Sequence, residues 1–415
     1  VRKWFTGLAV LALVLSMASG VWAGPGPDDQ GVRILLNGKD AKARGLAVRN
    51  TFGEKVTAHV PAAALEGLRR AGLSFEEVPT AYAIGTKEQG KPGGGGGGRA
   101  VPSSQVPYGI KMIYGNAGLT TTGVSGGAGV TVAILDTGTT VTHPDFVRAD
   151  GSNLIVDCVN FSDRSASQIE GQCADGDGHG THVTGTVAAA GGADGLGIFG
   201  VAPQADIYAY KVLNDRGSGY ADDIANAIRV AADRGANIIS MSLGGTSGSS
   251  LYLDAIRYAN SKGVLVIAAA GNSGPNANTI GYPGGYKEVV AVASLNPNEV
   301  VSYYSSRGLT DGNNNAIADR EVEVAGPGRS TISTYKDGAY YTMSGTSMAT
   351  PHISGLAAKM WKGSASTTRS WLVSQAQAHD ITTAEQINNA GTGYDIAAGY
   401  GLPQVTTLRQ TTWNN

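Results

Sequence analysis

Two apolar patterns alternate over most of this chain. Short continuous apolar runs at 130–135, 207–213, 238–243, 264–270, 289–294 and 322–325 read as strands buried on both faces. Between and after them, apolar residues three and four apart predict helices at 179–190, 221–234, 251–262, 346–361 and 368–378. Such strands alternating with helices imply an α/β fold: a mostly parallel sheet with helices on both faces. Ligands of these sheets bind outside the carboxyl ends of the strands. Chemistry is therefore expected in residues that follow a strand or open a helix.

The first hundred residues have a different rhythm. Strands are predicted at 32–36, 55–60, 73–78 and 81–84, and helices at 39–50 and 62–71, the second stopped by Gly72. These elements fit a small ferredoxin-like α+β unit. Lys91-Pro92 and the run from Gly93 to Gly98 then read as a flexible linker open to proteolysis. Ahead of this unit, Arg2 and Lys3 precede the apolar run 8–15 and the small-residue end Val21-Trp22-Ala23. That is the pattern of a secretory signal peptide. The run is shorter than the ~20 residues a membrane span needs, so an exported protein without a membrane anchor is expected. The expected organisation is a signal peptide at 1–23, the small unit at 24–90, a linker at 91–104 and the large domain at 105–415.

Composition changes this picture in three ways. Of 415 residues, 42% are hydrophobic and 15% charged, against a usual charged share of ~25%; such a chain can build a large core, which excludes general disorder. The net charge of −2 gives no overall pull toward nucleic acid, but it is unevenly spread. Residues 24–99 hold 11 Lys and Arg against 8 Asp and Glu, a net of +3, and residues from 100 onward hold 18 against 25, a net of −7. Opposite signs favour docking of the two parts. Cys158 and Cys173 are the only cysteines. In an exported chain they read as one disulfide, with two free thiols as the alternative, and they are too few to make a metal site.

Three segments stand where chemistry is expected. Asp136 ends the run Ala133-Ile134-Leu135, where a carboxylate is partly buried and must be paired, unless it caps a turn. His179 opens a helix in Gly178-His179-Gly180-Thr181-His182, and the glycines permit close approach of other backbone. The two histidines also suggest a metal, but a zinc protease helix needs His-Glu-x-x-His and Gly180-Thr181 fills the gap here; His182 reads as a structural histidine. Ser347 opens a helix in Ser344-Gly345-Thr346-Ser347-Met348-Ala349-Thr350-Pro351-His352. At a helix N-terminus its N–H would face a developing oxyanion, although alone it could be an N-cap.

Taken together, the three motifs resemble those of subtilisin-like serine proteases of the secreted prokaryotic type. The order Asp, His, Ser is the one that separates subtilisins from other triad families. The resemblance spans about 105–405. It does not extend to the α/β-hydrolases, because Ala349 stands where their Gly-x-Ser-x-Gly motif has its second glycine. It implies a Ser347 nucleophile, a His179 base and an Asp136 that orients the histidine, with Asn272 as the oxyanion donor. It further implies substrate contacts at Ser242, Leu243, Gly244, Gly217, Ser218, Gly219 and Gly281. No charge is evident in those segments, so broad cleavage after apolar or aromatic residues is expected. Structural calcium is implied at Asp145 and Asp194 and at the carbonyls of Leu196 and Ile198, with Gln105 beside them. The loop from Asp311 to Asp319 reads as a polar surface turn.

By the same resemblance, residues 24–90 correspond to a propeptide that templates folding and inhibits the enzyme intramolecularly. Its cleavage is expected between 84 and 105, in or beside the glycine run. The whole reads as a monomeric, secreted serine endopeptidase acting on proteins and peptides. A transpeptidase using the same acyl-enzyme and a catalytically silent binding protein of the same fold are the alternatives.

Overall fold

The computed structural model describes residues 31–87, 102–122, 126–312 and 315–405. The expected leader at 1–23 and the glycine run from Gly93 to Gly98 lie outside these residues. The small unit has strands Gly31–Asn37, Val48–Phe52, Lys55–Pro61 and Phe75–Glu77, with helices Gly38–Ala43 and Leu65–Arg70. The strands form one antiparallel sheet in which Gly31–Asn37 lies between Lys55–Pro61 and Phe75–Glu77. The first helix is shorter than its periodicity suggests. Gly45, at φ 63°, turns the chain out of it, and Val48–Phe52 follows as a strand.

Alternation along Gly31–Asn37 serves two partners. Ile34 and Leu36 join Ala58, Val60 and Leu68 in the unit's own core. Leu35 packs into an apolar cluster of the large domain, and Arg33 is buried against it. The last expected strand also leaves the unit: Thr80–Ala83 pairs between Ser218–Tyr220 and Leu243–Gly244 of the large domain, antiparallel to both. Its alternating residues suit any half-buried sheet, and the acceptor is the open edge of the groove.

The large domain is built on an eight-stranded sheet. Its order is Val324–Pro327, Val290–Leu295, Leu265–Ala269, Ile238–Met241, Thr131–Asp136, Asp206–Lys211, Ile155–Asn160 and Ile169–Glu170. All neighbours are parallel except the last pair. Val132 and Ile134 face the helices His179–Ala188 and Thr346–Lys359, and Ala133 and Leu135 face Ala221–Asp233 and Ser250–Ser261. The parallel α/β architecture expected from the sequence is the one observed. The half-exposed strand Ile155–Asn160, next to the sheet's short last strand, lacks a continuous apolar run, and the pattern misses it. The disulfide Cys158–Cys173 ties this strand to the loop ahead of His179, and closing such a loop contributes about 3 kcal/mol.

Candidate active site

Asp136 is the last residue of the central strand Thr131–Asp136, and His179 is the first of the helix His179–Ala188. The glycines around His179 make their meeting possible. A Cβ on Gly180 would lie 2.1 Å from the Gly138 carbonyl oxygen, so only glycine lets the helix approach the loop after Asp136. His179 Nδ1 is 2.7 Å from Asp136 Oδ1, and both side chains are buried. Oδ1 also accepts the Thr137 N–H at 2.7 Å. The loop is braced by buried Asp175, which accepts from Thr137 Oγ1, the Gly178 N–H and both the N–H and Oγ1 of Thr181.

Burial alone would push the His179 imidazole toward its neutral form. The Asp136 charge and hydrogen bond, helped by Asp177 and Asp175, outweigh it and raise its pKa above the usual 6.5. Burial, followed by the charge of His179, pushes His182 down to about 3. The neutral His182 ring donates from Nε2 to the carbonyls of Thr331 and Tyr341, 3.0 and 3.1 Å away. The second histidine of the motif is thus held by main chain.

Ser347 lies in the first turn of the helix Thr346–Lys359, where amides have no intrahelical acceptor. Its hydroxyl does not rest on the imidazole. It donates to the Ser242 carbonyl at 2.9 Å, while Ser242 Oγ donates to the Ser347 carbonyl at 2.7 Å. The second bond follows from Pro351. A proline four residues on has no N–H for the Ser347 carbonyl, which is left for Ser242. His179 Nε2, the atom that would accept a proton, has no partner among the described residues.

The space between these groups is filled by the chain's own segment 80–87. Ala83 N–H donates to the Gly217 carbonyl at 2.8 Å and Ile84 N–H to the Ser242 carbonyl at 3.4 Å. Tyr82 lies opposite Ser218 and Gly244. Beyond Gly85, Thr86 and Lys87 pair with Ser344 and Met343. The Ile84 carbonyl oxygen accepts from Asn272 Nδ2 at 3.4 Å. A Cβ on Gly345 would sit 2.6 Å from that oxygen, and a Cβ on Gly85 would sit 3.3 Å from His179 Nε2. The peptide bond between Ile84 and Gly85 therefore lies among Asn272, Gly345, Ser347 and His179.

The segments expected to contact substrate all border this tail. Gly217, Ser218 and Gly219 flank one side, and Ser242, Leu243 and Gly244 the other. Gly281 lines the cleft beside Ile84, where a Cβ would lie 2.9 Å from the Gly245 carbonyl oxygen. Thr346 is a residue the sequence reading missed. Its N–H and Oγ1 donate to Asn272 Oδ1 at 2.9 and 3.0 Å, which turns Nδ2 toward the Ile84 oxygen. Its place directly before Ser347 was the available signal.

The residues expected at calcium gather elsewhere. Asp145 is fully buried, and its carboxylate accepts from the Ile198 N–H and from Tyr340 Oη. Gln105 reaches the carbonyls of Gly195 and Gly197, and Asp194 accepts the Leu196 N–H.

The subtilase family matches over residues 127–401. This chain belongs to the subtilase family. It is 46% identical over 319 residues to a subtilisin of Bacillus sp. (strain TA39), covering 73% of each. It is 40% identical over 269 residues to thermitase of Thermoactinomyces vulgaris, covering 65% of this chain and 86% of the relative. The solved structure of sphericase superposes with a TM-score of 0.69 at 46% identity, covering 73% of this chain and 99% of its own. The protein is thus a subtilisin-like serine endopeptidase. No helix among the described residues is long and apolar enough to cross a membrane.

Proposed function

We propose that the chain is a secreted protease precursor whose triad is Asp136, His179 and Ser347, and that its first cut is its own bond between Ile84 and Gly85. The observation that carries this reading is the contact between Asn272 Nδ2 and the Ile84 carbonyl oxygen, beside the Asp136–His179 pair and between backbone pairings on both sides. Ser347 Oγ leaves the Ser242 carbonyl, gives its proton to His179 Nε2 and bonds to the Ile84 carbonyl carbon. The oxygen that gains the electron pair is held by Asn272 Nδ2 and the Ser347 N–H. The bond to nitrogen breaks, and His179 returns the proton to the departing Gly85 amine. Water then repeats the sequence on the acyl-enzyme and releases the Ile84 carboxylate.

In this reading the small unit is a propeptide, and its tail remains an inhibitor after the cut because it fills the substrate strand position. The boundary then falls at the start of the interval expected from the sequence, ahead of the glycine run. Other proteins and peptides enter as the tail does, with apolar or aromatic side chains favoured beside Gly281. Export follows from the apolar leader.

The loop 192–198 suits calcium by its donor chemistry. Asp194, the Leu196 and Ile198 carbonyls and buried Asp145 offer oxygen to a hard cation, and the Gln105 side-chain oxygen would join them if its amide turned over. Bound there, calcium would cross-link this loop to the core.

Ser347→Ala tests the triad. Peptide hydrolysis should fall on the order of 10⁶-fold, and the chain should remain full length. Undiminished hydrolysis would refute the reading.

A further inference from the structure

The cleft beside Ile84 is larger than the side chain that enters it, about 520 Å³. Ile84 lies against Gly244, and the far wall is formed by Asn278, Thr279, Ile280 and Gly281. A cation closes this wall. Arg320 lines the same cleft, although it is 39 residues beyond Gly281 in the chain and follows the polar loop from Asp311 to Asp319. Its N–H donates to the Gly285 carbonyl at 2.7 Å, and its guanidinium Nη2 donates to the Asn278 carbonyl at 2.9 Å, so it spans the loop segment 278–285 that lines the pocket. The backbone is held there at φ 63°, a left-handed conformation uncommon for arginine. No carboxylate among the described residues makes an ion pair with Arg320. The adjacent Glu321 is turned inward onto the Leu309 N–H and Tyr394 Oη.

The geometry points to Arg320 as the residue that sets the charge preference of this pocket. It admits a glutamate before the scissile bond and disfavours a lysine or arginine. The inference rests on Ile84 occupying the position before the cut. An apolar side chain such as that of Ile84 fills the upper part of the cleft. A carboxylate on a longer stem extends toward the guanidinium, and an ammonium meets like charge.

The test uses the purified enzyme with four peptides that differ only before the cut: leucine, glutamate, glutamine and lysine. Wild type should cleave the glutamate peptide at least about tenfold faster than the lysine peptide in kcat/KM, and the ratio should shrink in 1 M NaCl. Arg320→Gln should lower the ratio about tenfold, Arg320→Glu should invert it, and Arg320→Lys should keep most of it, each rate taken relative to the same variant's cleavage of the leucine peptide. A ratio unchanged within twofold in Arg320→Gln and Arg320→Glu would overturn the inference. If either variant loses leucine cleavage, the wild-type ratio decides, and one insensitive to salt overturns it. Failure of the wild type to cut the leucine peptide at all would instead strike the reading beneath it.

Discussion

The small unit touches the large domain in two regions that work by different physics. At its sheet face, buried Arg33 Nη1 lies 2.8 Å from Asp222 and 2.6 Å from Asp223, in the first turn of the helix Ala221–Asp233. Arg49, Asn50 and Thr57 satisfy the remaining carboxylate oxygens, and the Arg33 guanidinium stacks 4.1 Å over Tyr220. Burial alone would disfavour the Arg33 charge, but the two carboxylates outweigh it and hold it protonated. At the tail, contact is mostly main chain, with Thr80–Ala83 inserted as a middle strand. The first region depends on particular side chains and is untouched by a cut after Ile84. The second rests on main-chain pairing and makes fewer demands on particular side chains. In the proposed reading, the selective contact anchors a tail that lies where substrate would, and the two together would inhibit the enzyme.

Three experiments bear on that contrast. Arg33→Met removes the cation and leaves two buried carboxylates with less compensation, at a cost of about 3–5 kcal/mol in docking. Measured as the lag before activity appears after refolding, the variant should shed its inhibitor far sooner than wild type. An unchanged lag would show that the tail alone holds the unit. Asn272→Leu should leave the sheet-face contact and the Thr80–Ala83 pairing intact and remove one bond to the Ile84 carbonyl, slowing the chemistry about 10²–10³-fold, so precursor should persist on gels with its fold unaltered.

A pH profile gives the smallest effect. His179 must be neutral to accept the Ser347 proton, and its pKa is raised by Asp136. Activity should therefore climb through a pKa above 6.5 and fall away in acid. In Asp136→Asn the midpoint should move to lower pH, alongside a large loss of rate. The stability from the charged pair runs the other way: it is full below the unfolded-state pKa and is lost as pH rises through the folded one.

How much of this is legible in the sequence depends on whether the signal is local. Asp136, His179 and Ser347 each sit in a contiguous motif whose glycines and helix starts dictate the approach, and the structure brings Asp136 and His179 into direct contact. The resting bond from Ser347 to Ser242 is not legible, because it depends on a carbonyl that is free only once Pro351 and the pocket wall meet. Segment 80–84 reads as a strand, but nothing in its alternation says which sheet takes it. The charge imbalance between the two parts has the right sign for docking. It does not single out Arg33, which alternation alone would leave on a solvent-facing side. Arg320 is invisible for a similar reason: it reaches the pocket from a loop that carries no motif.

The most direct measurement is N-terminal sequencing and intact mass of the active product, beside the Ser347→Ala chain. If the tail lies as a substrate, the active form begins at Gly85 and the released fragment ends at Ile84, while the variant stays whole. A first cut within the glycine run, or processing of the variant at the same bond, would contradict it.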